Sequence, residues 1–427
     1  MKLNYKRTFF IGLAFLSISS FWQLYDNIIP LILHNTFGIG ETMTGTIMAL
    51  DNVLALFLLP FFGTLSDRIN TPFGKRTPFI VIGTTIAVIS MMLVPMANSS
   101  QNFALFFISL GLVLLSMSIY RSPAVALMPD LTPKSLRSKA NSIINLMGAV
   151  GAIFTLLMIS LLIPKEASPN YTSIFLAVAL LMLFSIIILV IAIRENRLSK
   201  EVAIINLDEN EELHLDDLSS SMTMDKDIKR SLSFLLSSIF LWFTAYNAIT
   251  TAFSRYATIV WNLKGGGFAN ALMVATGTAI LSYIPIGTIS SNIGRKKTII
   301  GGILLMSGSY FCGFLFKSYS PLINLVFAFT GIGWAAISVN SYPMVVEMSR
   351  NSDIGKYTGL YYTFSMSAQI FTPILSGFLL ENISYKTLFP YSFVFSLLSL
   401  CTMLMVHHGD SIPVKKKSTL EHFDIED

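Results

Sequence analysis

Residues 63–80 read GTLSDRINTPFGKRTPFI, and residues 287–300 read GTISSNIGRKKTII. Each stretch closes a long apolar run, crosses a short turn holding a second Gly and at least two bases, and enters another apolar run. Two fainter echoes keep the same order along the chain. WQLYDN at 22–27 matches WFTAYN at 242–247, and RSKA at 137–140 matches KYTG at 356–359. Three matches in one order point to internal duplication, with two parallel halves about an axis along the membrane normal.

Composition supplies the medium. A chain of 427 residues could hold two or three soluble domains, but 53% of it is hydrophobic and only 12% charged, about half the usual ~25%. Mean hydropathy is +0.66. With 33 Phe and 20 Met beside five His and two Cys, a soluble enzyme core, a disordered chain, a disulfide scaffold and a zinc module are excluded. Cys312 and Cys401 sit in apolar runs and read as small buried hydrophobes. His34, His214, His407, His408 and His422 lie at run ends or in tails without ligand spacing, so no metal and no cofactor are expected.

A helix needs about 20 apolar residues to cross a bilayer. Twelve runs qualify: 8–34, 42–66, 77–97, 102–128, 136–163, 171–193, 231–256, 268–291, 297–316, 320–347, 356–380 and 385–406. The first is read as a retained span, being too long and too polar at Trp22–Asn27 for a signal peptide. Only one long polar stretch separates spans. It is acidic and Ser-rich, and it reads as a solvated linker. The expected organisation is a six-helix half over 1–193, a cytoplasmic acidic linker over 194–230, a second six-helix half over 231–406 and a cytoplasmic tail over 407–427.

Of the 29 Lys and Arg, 23 fall on the side of the termini and 4 on the other, while Arg121 and Arg255 lie within spans. The positive-inside rule then puts both termini in the cytoplasm of a multi-pass protein of the cytoplasmic membrane. It also accounts for the pI of 9.0, so no nucleic-acid partner is called for. Arg255, near a span end, is expected to snorkel to the interface.

The first turn, with Gly63, Asp67, Arg68, Gly74, Lys75 and Arg76, resembles the signature loop of the major facilitator superfamily, and the resemblance runs the length of the chain. Its longer form, with a spacer before Gly-Lys-Arg and then Pro-Phe-Ile, is similar to the sucrose-transporter-like branch and, more distantly, to glycoside-pentoside-hexuronide:cation symporters. PAVALMPDL at 123–131 resembles the fourth-span ending of that branch. The resemblance implies an all-α fold of twelve transmembrane helices in two six-helix pseudo-repeats. Independently of family, Asp67 among these bases can form ion pairs that break and reform between two states, which makes the loop a candidate gate. Glu347 and Arg350, ending span ten, form a weaker second candidate.

Ionisable groups at mid-bilayer cost at least about 2.5 kcal/mol and are functional candidates by default. Asp26, Asp51 and Arg121 qualify. Counting about 1.5 Å per residue, Asp26 and Asp51 share a depth, while Arg121 sits deeper, near Asn141 and Asn145. Two carboxylates at one depth in a low dielectric repel as anions, so one of them can hold and release a proton. Melibiose-type sodium carriers place paired carboxylates on span two, where this chain has Ala55 and Leu59. That departure favours protons. Trp22, Gln23, Asp26, Asn27, Arg121, Asn145, Trp242, Tyr246, Asn247 and Gln369 combine aromatic faces, amides and charges in the way that suits sugar hydroxyls and C–H patches.

The expected protein is therefore a monomeric, lipid-embedded carrier, not an enzyme. It would move a di- or oligosaccharide or glycoside with protons, drawing on the proton gradient because no nucleotide loop is present. The alternatives are a carrier of another metabolite, a drug exporter, a sodium-coupled sugar symporter, or a receptor that keeps the fold.

Overall fold

The computed structural model describes residues 3–133, 136–165, 169–213, 226–348 and 354–410. Among them are thirteen α-helices, and all but the seventh form segments long and apolar enough to cross a membrane, the last counted from the 3-10 turn Tyr385–Thr387 that leads into its helix. In chain order they are α1 Tyr5–Asn35, α2 Glu41–Arg68, α3 Thr77–Ser99, α4 Phe103–Asp130, α5 Arg137–Leu162, α6 Thr172–Ala192, α7 Glu195–Leu213, α8 Lys226–Ile259, α9 Ala269–Ile293, α10 Arg295–Leu315, α11 Ile323–Glu347, α12 Ile354–Asn382 and α13 Leu388–Leu404. Each expected span coincides with one of the twelve, and no strand occurs among the described residues. Helices win because hydrocarbon offers backbone groups no water, so each segment satisfies its own N–H and C=O groups.

The thirteenth helix, α7, lies in the stretch read as an unfolded linker. Its first residue, Glu195, is anchored against the α2–α3 turn, and Arg197 pairs with Glu201 one turn on at 3.1 Å. A nucleus fixed from outside spares the segment the cost of starting a helix alone. Asp216, Asp217 and Ser219–Ser221 of the linker, and Arg350, lie outside the described residues.

Backbone contacts divide the chain into two compact units. One comprises Met1–Trp22, Leu54–Ala152 and Thr172–Met224; the other comprises Gln23–Val53, Ile153–Tyr171 and Asp225–Asp427. In the first, Ser20 donates to the Gly151 carbonyl at 3.0 Å and Tyr120 to the Ala14 carbonyl at 2.8 Å. In the second, the start of α2 lies so close to α12 that a Cβ on Gly45 would collide with the Pro373 carbonyl. Such approaches gather the dispersion contacts that hold helices together in lipid. Cys312 and Cys401 are exposed rather than buried, because an apolar run in a spanning helix has an apolar outer face as well as a core.

Candidate functional site

The second unit holds a small cavity with both polar and apolar walls. Gln23, Asp26 and Asn27 of α1 face Tyr246, Ile249 and Thr250 of α8, Leu272, Ala275 and Thr276 of α9, and Phe327 and Thr330 of α11. Its volume is about 40 Å³. One water needs roughly 10–15 Å³ measured this way, whereas pockets for drug-sized ligands run to about 300 Å³ or more. In this conformation the cavity takes an ion or a few waters, not a disaccharide.

Its polar walls have a defined polarity. Asn27, 1% exposed, donates its amide to the Gln23 carbonyl at 2.9 Å and to Gln23 Oε1 at 3.3 Å, and its Oδ1 meets no donor. Asp26 has no hydrogen bond or ion pair to a described residue and lies within electrostatic reach of Asp51. Asp51 itself accepts from the Asn52 backbone at 2.6 Å and from the Asn52 amide at 2.8 Å.

The remaining candidates are dispersed. Trp22 belongs to the first unit, where the Arg121 guanidinium lies 5.7 Å from its ring centroid, a cation–π distance. Asn145 is half-buried on α5 in that unit. Tyr246 stacks on Trp334 with centroids 3.9 Å apart, and Trp334 was not singled out in the sequence. Trp242 is wholly buried with an unpartnered indole N–H, and the Asn247 amide nitrogen is likewise buried without a partner. Gln369 is half-buried on α12.

The loop residues assemble around one guanidinium. Arg76, 6% exposed, pairs with Asp67, with Asp130 at 2.8 Å and with the Ser66 hydroxyl. Burial alone would push the guanidinium down, but the hydrogen bond to Asp130 and the charges of Asp130 and Asp67 lift it above its ordinary value. Helix α3 starts without a side-chain cap of its own. Glu195 supplies one from α7, accepting the N–H groups of Lys75, Arg76 and Thr77 at 2.7, 2.9 and 2.8 Å. Gly74 fits here for two reasons: its φ is 125°, and a Cβ would meet the Glu195 carboxylate. Gly63 faces Ser122, its carbonyl lies 3.4 Å from Arg76 Nη1, and Arg68 and the Lys75 side chain are exposed.

The corresponding turn in the second unit keeps part of this plan. Arg295 pairs with Glu347, and Asp410 accepts the Lys296 N–H at 2.8 Å beside Gly294, whose φ is 95°.

A third cluster was not foreseen. Arg255 does not snorkel: it is 3% exposed and its Nε lies 2.5 Å from Oε2 of Glu41, which is 2% exposed. Tyr385 donates to Glu41 Oε1 at 2.7 Å, and His34 Nδ1 lies 3.3 Å from the same oxygen. The Thr42 N–H donates to Glu381 at 2.7 Å. An intramembrane Arg signals a partner, but Glu41 at the first residue of α2 looks like an ordinary helix-start acid.

Twelve spans, a repeated polar turn and intramembrane charges define a polytopic membrane transporter. The family model described as "Major Facilitator Superfamily" matches residues 10–281 and 261–423, and the chain belongs to that superfamily. It is similar to an uncharacterised transporter of the same type from Methanocaldococcus jannaschii, 24% identical over 385 residues and 89% of each chain. A sucrose transport protein of Arabidopsis thaliana is 26% identical over 137 residues, covering 28% of this chain and 23% of that one. The crystal structure of a POT family transporter in complex with a thioalcohol-conjugated peptide superposes with a TM-score of 0.69 at 13% identity, covering 94% of this chain and 95% of that one. At that identity the likeness is one of fold.

Proposed function

We propose that this transporter is a secondary carrier for a di- or oligosaccharide or glycoside, working by alternating access and driven by a cation taken up at Asp26. The observation that carries the reading is Asp26 itself: a carboxylate placed mid-span, with no described basic partner, beside a cavity of ion size. A charge kept at that depth without a structural pairing is best explained by a cation that comes and goes. The sugar class is supported by the stretch shared with the sucrose transport protein and by the Trp22–Arg121 pair, which offers an aromatic face beside a fork of donors. The Arg76 cluster serves as a gate, and both termini face the cytoplasm.

Counterflow in proteoliposomes tests the carrier reading without any ion gradient. Vesicles loaded with unlabelled sucrose, maltose or an aryl glycoside should transiently accumulate the labelled form of at least one of them. Absence of counterflow across the panel, with folded protein in the vesicles, would overturn the sugar assignment.

A further inference from the structure

The oxygens around Asp26 present a more specific preference than a carboxylate alone. Thr250, Thr276 and Thr330 line the cavity, and each donates its hydroxyl proton to a backbone carbonyl of its own helix, at 3.2, 3.0 and 2.9 Å. A hydroxyl has one proton to give, so what each can still offer is lone pairs. Asn27 has turned its donors onto Gln23 and left Oδ1 unpartnered while 1% exposed. Gln23 Oε1 already accepts from Asn27. The cavity thus presents one carboxylate, the Asn27 Oδ1 and three hydroxyl oxygens whose protons are spent elsewhere, beside the Gln23 amide, the Tyr246 hydroxyl and apolar side chains.

A hydroxylated solute needs donors as well as acceptors, and 40 Å³ is too small for one. Acceptor oxygens with a single carboxylate are the ligand set of a hard cation, and one negative charge balances a monovalent ion. We propose that this cavity is a sodium site, with Asp26, Asn27 Oδ1 and the hydroxyl oxygens of Thr250, Thr276 and Thr330 as its ligands, water completing the shell. The inference rests on the reading of Asp26 as the coupling residue and names its ion. It departs from the proton expected from the paired aspartates. Because its ligands come from α1, α8, α9 and α11, sodium binding ties these four helices together and biases the carrier toward the conformation that holds them so.

Binding of ²²Na⁺ to the purified full-length protein tests this without any solute. Saturable binding near one ion per chain is expected, displaced by unlabelled sodium and not by choline. Asp26→Asn should abolish it. The double variant Thr250→Val, Thr276→Val keeps the carboxylate and should weaken binding on the order of tenfold or more. Absence of saturable binding by a wild-type chain that melts cooperatively would overturn the sodium site, and so would undiminished binding by Asp26→Asn. Sugar counterflow with no sodium binding would leave the carrier reading intact and return the coupling to protons. Sodium binding with no counterflow would remove the sugar and keep the site.

Discussion

The two turns that expose the duplication have diverged in how they hold their central base. In the first, Arg76 is gripped by Asp67 and Asp130 together, and Glu195 caps the helix that follows. In the second, Arg295 retains Glu347, and Asp410 takes the capping place after the last span. Ser291 stands where the first turn has Asp67. The shared parts, a base near a helix start, an acid ending the fourth span of the half and an acid following its sixth, are the architecture. The added part, Asp67, gives the first turn a second, partly exposed contact that a moving helix end can make and break. Under the proposed gating role, the charge that makes and breaks contacts belongs mainly to the first turn.

Arg76→Ala should break this comparison most strongly. It leaves two carboxylates facing each other and should cost about 2 kcal/mol, less than a fully buried pair because Asp67 and Asp130 are 59% and 37% exposed. Thermal unfolding in detergent would show it, with transport reduced more than stability explains. Glu195→Ala strips the cap from three backbone N–H groups and should cost about 1–2 kcal/mol. Arg295→Ala removes the pair with Glu347 and should cost about 1 kcal/mol. A loss equal to that of Arg76→Ala would contradict the asymmetry. Ser291→Asp should change stability by no more than about 0.5 kcal/mol, while shifting the balance of inward- and outward-accessible forms seen by cysteine labelling.

Much of this was legible in the sequence because bilayer thickness fixes the length of a span and duplication repeats its punctuation. Asp67, Arg76 and the cavity residues Gln23, Asp26, Asn27 and Tyr246 could be named for the same reason: polar groups stand out against apolar runs. What could not be read is pairing at long range. Glu41 meets Arg255 across 214 positions of sequence, and neither residue has a local sign of the other. Nor could burial be read inside an apolar run, where Trp242 is enclosed while Cys312 faces outward. Thr250, Thr276 and Thr330 of the cavity wall carry no such mark, and for a chemical reason. Whether a threonine oxygen is available as an acceptor depends on where its proton points, which spacing along the chain does not show.

The measurement that tests the central claim most directly compares two modes of transport in Asp26→Asn proteoliposomes. Counterflow of the transported sugar should persist, because exchange needs no driving ion, while uphill accumulation under an imposed cation gradient should disappear. If the variant accumulates sugar against its gradient as the wild type does, Asp26 is not the coupling residue and the account fails at its centre.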